Sequence, residues 1–206
     1  MVNVATFGID HLWKRRIISL IPPNSTRILD LACGTGILTL SLARRFPDCQ
    51  VVGVELRDEY LTLAREKVSR LGITNVEFVL SRAEEYESQT SYDAIVSSYL
   101  AKYADLPTLM LRAQPMLKEH GLLLMHDFTF PPPSLVWLWR MYFWVLQHIG
   151  TPFFPSWREI YYGLPQLIEE TRWASDLPPL LKEHGFKNIR REDLTAYGSA
   201  IFTATK

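Results

Sequence analysis

The chain has 206 residues, 48% apolar and 21% charged, a composition that suits one domain with a sizeable core. Lysine plus arginine equals aspartate plus glutamate, 22 each, so the net charge is zero and the basic footprint of a nucleic-acid binder is absent. Two cysteines, Cys33 and Cys49, make no disulfide framework and fit a reducing cytosol, so a cytoplasmic protein is expected.

The first predicted element is a helix over Phe7 to Ile21, with Leu12, Ile17 and Leu20 among its apolar positions. Inside it, KRRIISLIPP from Lys14 is a poor signal peptide, because the apolar run is short and Pro22-Pro23 ends it. Strand one is expected over Arg27 to Ala32, a helix over Leu38 to Arg45, and strand two over Gln50 to Glu55. A helix from Glu59 to Leu71 stops at Gly72, and strand three spans Val76 to Leu80. Strand four covers Tyr92 to Ser97, a helix runs from Pro107 to Leu117 and stops near Gly121, and strand five covers Leu122 to Phe128. Short Val/Ile/Leu-rich runs between helical periods mean a parallel sheet covered on both faces. After an aromatic-rich segment, Thr129 to Trp173, come a helix (Leu177 to His184) and two strands, Lys187 to Asp193 and Gly198 to Ala204. Strands so close must be antiparallel. The expected fold is therefore α/β: a Rossmann-like, seven-stranded, mostly parallel sheet ending in an antiparallel hairpin, with helices on both faces. One domain over residues 1–206 is expected, with the aromatic segment 129–173 as an insertion or lid.

Chemistry is expected at the carboxyl ends of the strands, where open α/β sheets bind ligands. Asp30 ends strand one, and Ala32-Cys33-Gly34-Thr35-Gly36 bends tightly before the next helix. Small residues let backbone approach a ligand, and the following helix points its N–H groups at it. Glu55, ending strand two, is placed to accept hydrogen bonds from ribose hydroxyls. The plainer alternative is a turn kept for packing, with Glu55 a solvated acid at a helix start. Gly34 and Gly36 match the first two glycines of a dinucleotide fingerprint, but its third position is Thr39; started at Ala32, the same bend reads A-x-G-x-G.

Asp30-Leu-Ala-Cys-Gly-Thr-Gly, together with the terminal hairpin, resembles class I S-adenosylmethionine methyltransferases. The similarity extends to the ubiquinone/menaquinone biosynthesis C-methyltransferase family. Its F-G-I-x-x-L-W-K-R segment appears as FGIDHLWKR (Phe7 to Arg15), and its N-A-E loop as Arg82-Ala83-Glu84. Its E-F-S-x-P appears as Asp127-Phe128-Thr129-Phe130-Pro131, and its N-L-T-A-G ending as DLTAYGSAIFTATK. The resemblance implies S-adenosylmethionine as cofactor and S-adenosylhomocysteine as product. It implies cofactor contacts from Thr35, Glu55, Arg82, Ala83 and Ser98. Asp30, Ala32, Gly34 and Gly36 of the bend, and Leu56 and Glu84 beside the others, complete the expected site. Glu55 replaces the family's more usual aspartate, and Arg82 its asparagine, which leaves a backbone contact there.

The acceptor side departs from the family. Its S-F-G-L-R-N reads here SYLAKY, Ser98 to Tyr103, so Lys102 replaces an arginine fork with a point charge. Its tyrosine-rich A-Y-x-Y-L-P-E-S segment is only echoed by IYYGLPQLIEET from Ile160. Relatives also carry a stretch with a Tyr-Asp pair before the FGI segment, where this sequence has only Met1 to Thr6.

His126 and Asp127 at the end of strand five are candidates for a general base, and Lys102 for stabilising a phenolate. Alternatively, His126 is a strand-end residue bonded to backbone and Lys102 a solvated lysine. The five histidines (His11, His120, His126, His148, His184) show no metal-ligand spacing, so no metal is expected. The expected reaction is methyl transfer to a hydrophobic aromatic acceptor, C-methylation of a quinol-type ring. Methylation of a phenol oxygen or amine, and a non-catalytic cofactor-binding module, stay open, as does an oligomer.

SLVWLWRMYFWVLQHIG, Ser134 to Gly150, is apolar nearly all round. It is shorter than the ~20 residues of a membrane span and carries Arg140 near its middle. Either it fills a second core layer with Trp137, Trp139, Tyr142, Phe143 and Trp144, or it forms, with TPFFPSW (Thr151 to Trp157), a lid that touches the membrane peripherally.

Overall fold

A computed structural model describes residues 8–155 and 158–206. The expected Phe7 start of the first helix, and Ser156 and Trp157 of the TPFFPSW stretch, lie outside them.

The elements, in chain order, are α1 (Asp10–Leu20), β1 (Arg27–Leu31), α2 (Ile37–Arg45), β2 (Gln50–Glu55), α3 (Asp58–Leu71), β3 (Val76–Leu80), β4 (Tyr92–Ser98), α4 (Leu106–Met116) and β5 (Leu117–Phe128). Then follow a 3-10 turn (Pro133–Leu135), α5 (Val136–Val145), a π turn (Leu146–Gly150), a single helical turn (Thr151–Phe153), α6 (Arg158–Glu170), α7 (Trp173–Glu183), β6 (Lys187–Leu194) and β7 (Ser199–Thr205). The strands form one sheet in the order β3-β2-β1-β4-β5-β7-β6. The first five are parallel, and β7 runs antiparallel between β5 and β6, as the short link between the last two strands requires.

Alternation along the strands divides the core. Ile28, Val51, Ala94, Val96 and Leu124 face α1 and α2; Leu29, Val52, Ile95, Leu123 and Met125 face α4 and α7. Both faces are dry, which is why these strands read as continuous apolar runs. Full burial of each of the Val, Leu, Ile and Met side chains among them is worth about 1.5–3 kcal/mol.

In α1, Asp10, Trp13 and Ile17 are buried, while Leu12 is 51% exposed. Two expectations are corrected. The helix before β5 ends at Met116, one residue short of the expected Leu117, and β5 begins at Leu117 rather than at Leu122. Pro115 sits in the last turn of α4, where it lacks an N–H and its ring crowds the preceding turn. Finally, Trp173 belongs to α7, which starts there and not at Leu177. The Trp173 side chain is 2% exposed and its Nε1 donates to the Phe128 carbonyl at 2.6 Å, so it anchors the main core rather than the insertion.

The insertion forms a cap of α5 and α6 beyond the end of β5. Phe143, Leu146, Tyr161 and Ile168 make its own small core, with Trp139 4.8 Å from Phe143 and 5.2 Å from Phe130, ring to ring. Trp137 and Trp144 do not fill a core layer, being 65% and 54% exposed. Among the described residues, no helix is long and apolar enough to cross a membrane.

Candidate active site

The bend after β1 is pinned to β2 by backbone. Cys33 N–H donates to the Val54 carbonyl at 2.9 Å, and Gly36 N–H to the Cys33 carbonyl at 3.0 Å. Ala32, Gly34 and Gly36 all have positive φ (58°, 56° and 77°). Such a run suits small residues and glycine. Gly36, the N-cap of α2, also lies where an added Cβ would meet the Ala64 Cβ at 3.1 Å. At Gly34 an added Cβ would meet open space, so the backbone there stands clear for a ligand. Lys67 Nζ holds the Thr35 carbonyl at 2.8 Å from below.

Two buried acids frame the bend. Glu55 accepts from Gly34 N–H and Arg57 N–H, both at 3.0 Å, one on each carboxylate oxygen. A carboxylate has roughly four acceptor positions, so two remain for hydroxyl donors. Asp30 accepts from Thr39 Oγ1 at 2.7 Å and is otherwise enclosed. Burial pushes its carboxyl up to about 7, against the hydrogen bond from Thr39 and the charge of Lys14. A cation placed beside Asp30 would restore its charge.

The other expected cofactor residues fall along the same edge. Leu56 is exposed next to Glu55, and Ala83 is buried beneath the loop after β3. The Arg82 side chain is 54% exposed and turns toward Glu84 and Glu85, at 3.9 and 3.5 Å. Glu84 accepts from Asp105 N–H at 3.2 Å and so ties this loop to the start of α4. Ser98 ends β4 with its Oγ 3.0 Å from His126 Nδ1. The glycine-rich bend, the Glu55 carboxylate and the start of α2 thus lie together at the carboxyl ends of β1 and β2, where an open α/β sheet binds its ligand.

The expected general base at His126 or Asp127 is revised. His126 is wholly buried, between Ser98 and, at 3.2 Å from Nε2, Ser199 Oγ. Burial, with the charges of Lys14 and Lys102, lowers it to about 3, so it is neutral at pH 7. Asp127 is wholly buried too, and accepts from Lys102 Nζ at 2.7 Å, Lys102 N–H at 3.0 Å and Phe128 N–H at 2.7 Å. Lys102 is no solvated lysine: its side chain is 3% exposed. Burial pushes Lys102 down and Asp127 up, while each opposes that shift in the other. These three groups hold the ends of β4 and β5 in place instead of facing open space.

Residues to which the sequence assigned no role lie beside this cluster. Tyr99 has φ 72°, donates from its hydroxyl to Asp10 Oδ1 at 2.6 Å, and stacks on Phe128 with ring centroids 5.0 Å apart. Trp13 Nε1 donates to Thr195 Oγ1 at 2.8 Å, fastening α1 to the β6–β7 turn. The available signals were the FGIDHLWKR, SYLAKY and DLTAYG stretches, which are far apart in sequence. Beyond Phe128 lies an apolar cavity of about 330 Å³, walled by Trp13 and Phe128 on the sheet side and by Leu135, Trp139, Phe143 and Ile168 of the cap. Cofactor bend, strand-end cluster and cavity therefore follow one another along the edge from β2 to β7.

The ubiE/COQ5 methyltransferase family model matches residues 1–206. A demethylmenaquinone methyltransferase of Thermus thermophilus is 31% identical over 204 residues, 97% of this chain and 91% of that protein. A ubiquinone/menaquinone biosynthesis C-methyltransferase of an Enterobacter species is 32% identical over 206 residues, 95% of this chain and 80% of its own length. Among solved structures, an S-adenosylmethionine-dependent methyltransferase of Aquifex aeolicus superposes with a TM-score of 0.64 at 16% identity, over 93% of this chain and 88% of that one. Phosphoethanolamine N-methyltransferase 2 of Haemonchus contortus, solved with S-adenosyl-L-methionine, gives a TM-score of 0.70 at 20% identity, over 95% of this chain and only 52% of that longer one. The chain belongs to the ubiE/COQ5 methyltransferase family and is an S-adenosylmethionine-dependent methyltransferase.

Proposed function

We propose that the chain methylates a ring carbon of a hydrophobic quinol, with the ring between the cofactor bend and Phe128 and its apolar substituent in the cavity. The observation that carries this reading is the cavity itself. Its walls are almost wholly apolar, its volume of about 330 Å³ suits a small ligand, and it adjoins the strand ends. The names of the Thermus and Enterobacter relatives point the same way.

S-Adenosylmethionine, when bound, would supply a methyl group already activated on sulfonium sulfur; its S–CH3 bond would break as the ring carbon gained the methyl, and the proton that carbon lost would leave to solvent. The chain's own work is then positioning, in which correct alignment of reactants lowers the barrier. Glu55 would take the ribose hydroxyls, and Asp30 would attract the ammonium end. Tyr99 and Phe128 would present a flat apolar wall to the acceptor ring, and the cap would exclude water. The Lys102–Asp127 pair would keep that wall from shifting.

Labelled S-adenosylmethionine, offered with demethylated quinols, catechols and a cell lipid extract, tests the reading. Label in the lipid fraction supports it. Label in polar products favours a phenol or amine acceptor, and no label at all a binding module.

The exposed face of α5 extends the proposal to a peripheral membrane contact. Trp137, Met141 and Trp144 lie on one side, half or more exposed, while Phe143 on the other side enters the cap's core. Aromatic residues with a polar handle favour the bilayer interface. Quenching of tryptophan fluorescence by brominated lipid tests it, and absence of quenching removes it.

A further inference from the structure

Asp30 lies buried under the bend, bonded to Thr39, and yet a cation from another part of the chain acts on it: Lys14 of α1. The fold explains the meeting. Side chains alternate along a strand, so Asp30 points to the same face of the sheet as Ile28, the face that α1 and α2 cover. On that face α1 reaches the carboxyl ends of β4 and β5. The Trp13 and His126 rings are 5.4 Å apart, the Tyr99 hydroxyl donates to Asp10 Oδ1 at 2.6 Å, and Lys14 Nζ lies 5.2 Å from the centre of the Tyr99 ring. Lys14 therefore stands over the strand ends on the side to which Asp30 is turned.

The lysine is held but not used up. Its side chain is 12% exposed, and Nζ bonds to Asp10, one turn earlier in α1. An ammonium carries three hydrogens, and among the described residues Nζ forms no second hydrogen bond. Other cations along this edge are engaged. Lys67 Nζ holds the Thr35 carbonyl at 2.8 Å, and Lys102 Nζ holds Asp127 at 2.7 Å and the Tyr99 carbonyl at 3.0 Å. Arg57 and Arg82 turn toward exposed-loop acids, Glu59 for the first, Glu84 and Glu85 for the second. The methionyl end of the cofactor bears an ammonium and a carboxylate on one carbon. An ammonium arriving alone beside Asp30 would meet a like charge in Lys14. With the carboxylate beside it, the signs alternate from Asp30 through the ligand to Lys14, and close opposite charges attract.

We propose that Lys14 binds the carboxylate of the cofactor's methionyl end, while Asp30 takes the ammonium on the same carbon. Asp10 is a positioning residue that acts through Lys14 by steadying Nζ. The first helix thereby becomes one wall of the cofactor site, which otherwise comes from the bend, Glu55 and the loop after β3. The subsite demands both charges at once: a ligand with the ammonium and no carboxylate leaves Lys14 unmatched and opposed.

The test is calorimetry of the whole chain with three ligands: S-adenosylhomocysteine, its decarboxylated analogue, which keeps the ammonium, and 5′-methylthioadenosine, which has neither charge. The unaltered protein should bind S-adenosylhomocysteine about 10- to 100-fold more tightly than the decarboxylated analogue, in line with a hydrogen bond between charged groups. Lys14→Met should abolish that margin from one side. Affinity for S-adenosylhomocysteine should fall by the same factor, while the decarboxylated analogue should bind as before or more tightly, because the opposing cation is gone. Unchanged binding of 5′-methylthioadenosine should report an intact nucleoside site, and Lys14→Arg, which keeps the charge, should keep most of the margin. A lysine that merely supports the fold would weaken all three ligands alike when replaced, and that result overturns the proposal. Equal affinity of the unaltered protein for S-adenosylhomocysteine and its decarboxylated analogue overturns it as well, and this comparison decides even where Lys14→Met fails to fold.

Discussion

The two halves of the site are built by opposite means. The cofactor bend is defined by backbone: three positive φ angles, N–H groups bonded to neighbouring strands, and a carboxylate that closes the loop onto β2. The cap over the apolar cavity is defined by side-chain volume, with aromatic edges meeting over a small core and a π turn in place of regular helix. Backbone geometry tolerates few replacements but hardly moves. Volume packing tolerates many replacements and opens more readily, since it rests on fewer buried contacts.

The comparison can be broken most forcefully where the halves meet. Lys102→Ala leaves Asp127 buried without its cation, and should destabilise the fold by about 3–5 kcal/mol in denaturant unfolding. Replacing both partners by apolar residues of similar size should recover most of that loss. A small effect of Lys102→Ala would mean that the junction is not fastened by this pair. Within the cap, Phe143→Ala should cost about 3–5 kcal/mol if cap and sheet unfold together. If the cap unfolds alone, hydrogen exchange should rise in α5 and α6 while β1 to β5 keep their protection, and limited proteolysis should cut between Thr129 and Trp173.

On the cofactor side, Glu55→Ala should weaken S-adenosylhomocysteine by about 1.5–3 kcal/mol, the worth of hydrogen bonds to a charged group. An unchanged affinity in calorimetry would remove its ribose role. A smaller effect follows from Asp30. Its carboxyl is raised to about 7, so the free protein passes from mostly protonated to mostly ionised between about pH 6 and 8. An ammonium-bearing ligand prefers the ionised form, so affinity should rise with pH by up to about tenfold over that range, and Asp30→Asn should flatten the profile. The sign for stability is the reverse. A raised carboxyl stabilises the fold fully below the unfolded value near 4, and that contribution is lost as pH rises through about 7. The smallest effect is expected at Trp137 and Trp144. Replacing either by serine should change stability by less than about 0.5 kcal/mol yet reduce quenching by brominated lipid.

Most of the sheet was legible because its signals are local. The limits of β2 and β3 agree with the apolar runs QVVGVE and VEFVL, and the closing hairpin follows from the short link between its strands. The bend was legible for the same reason, since Ala32, Gly34 and Gly36 announce their backbone conformation by their size. The start of α7 was not: Pro178 and Pro179 lie inside the helix, where propensity argues against them. Nor were the two faces of α5 separable, because a segment apolar all round carries no periodicity to say which side is covered.

By itself, then, the sequence determined the chain order of the strands and of the helices between the first five, the small-residue bend and the acid at the end of each of the first two strands, because each depends on residues within a turn or two of one another; it did not announce α6. Only the tertiary structure decided what the polar groups do. Asp10 and Tyr99 are 89 residues apart, Trp13 and Thr195 182 apart, and Lys102 and Asp127 25 apart with a helix between them. Spacing cannot announce such pairs, since whether a carboxylate is a free base or a buried anchor depends on which donors the fold brings to it.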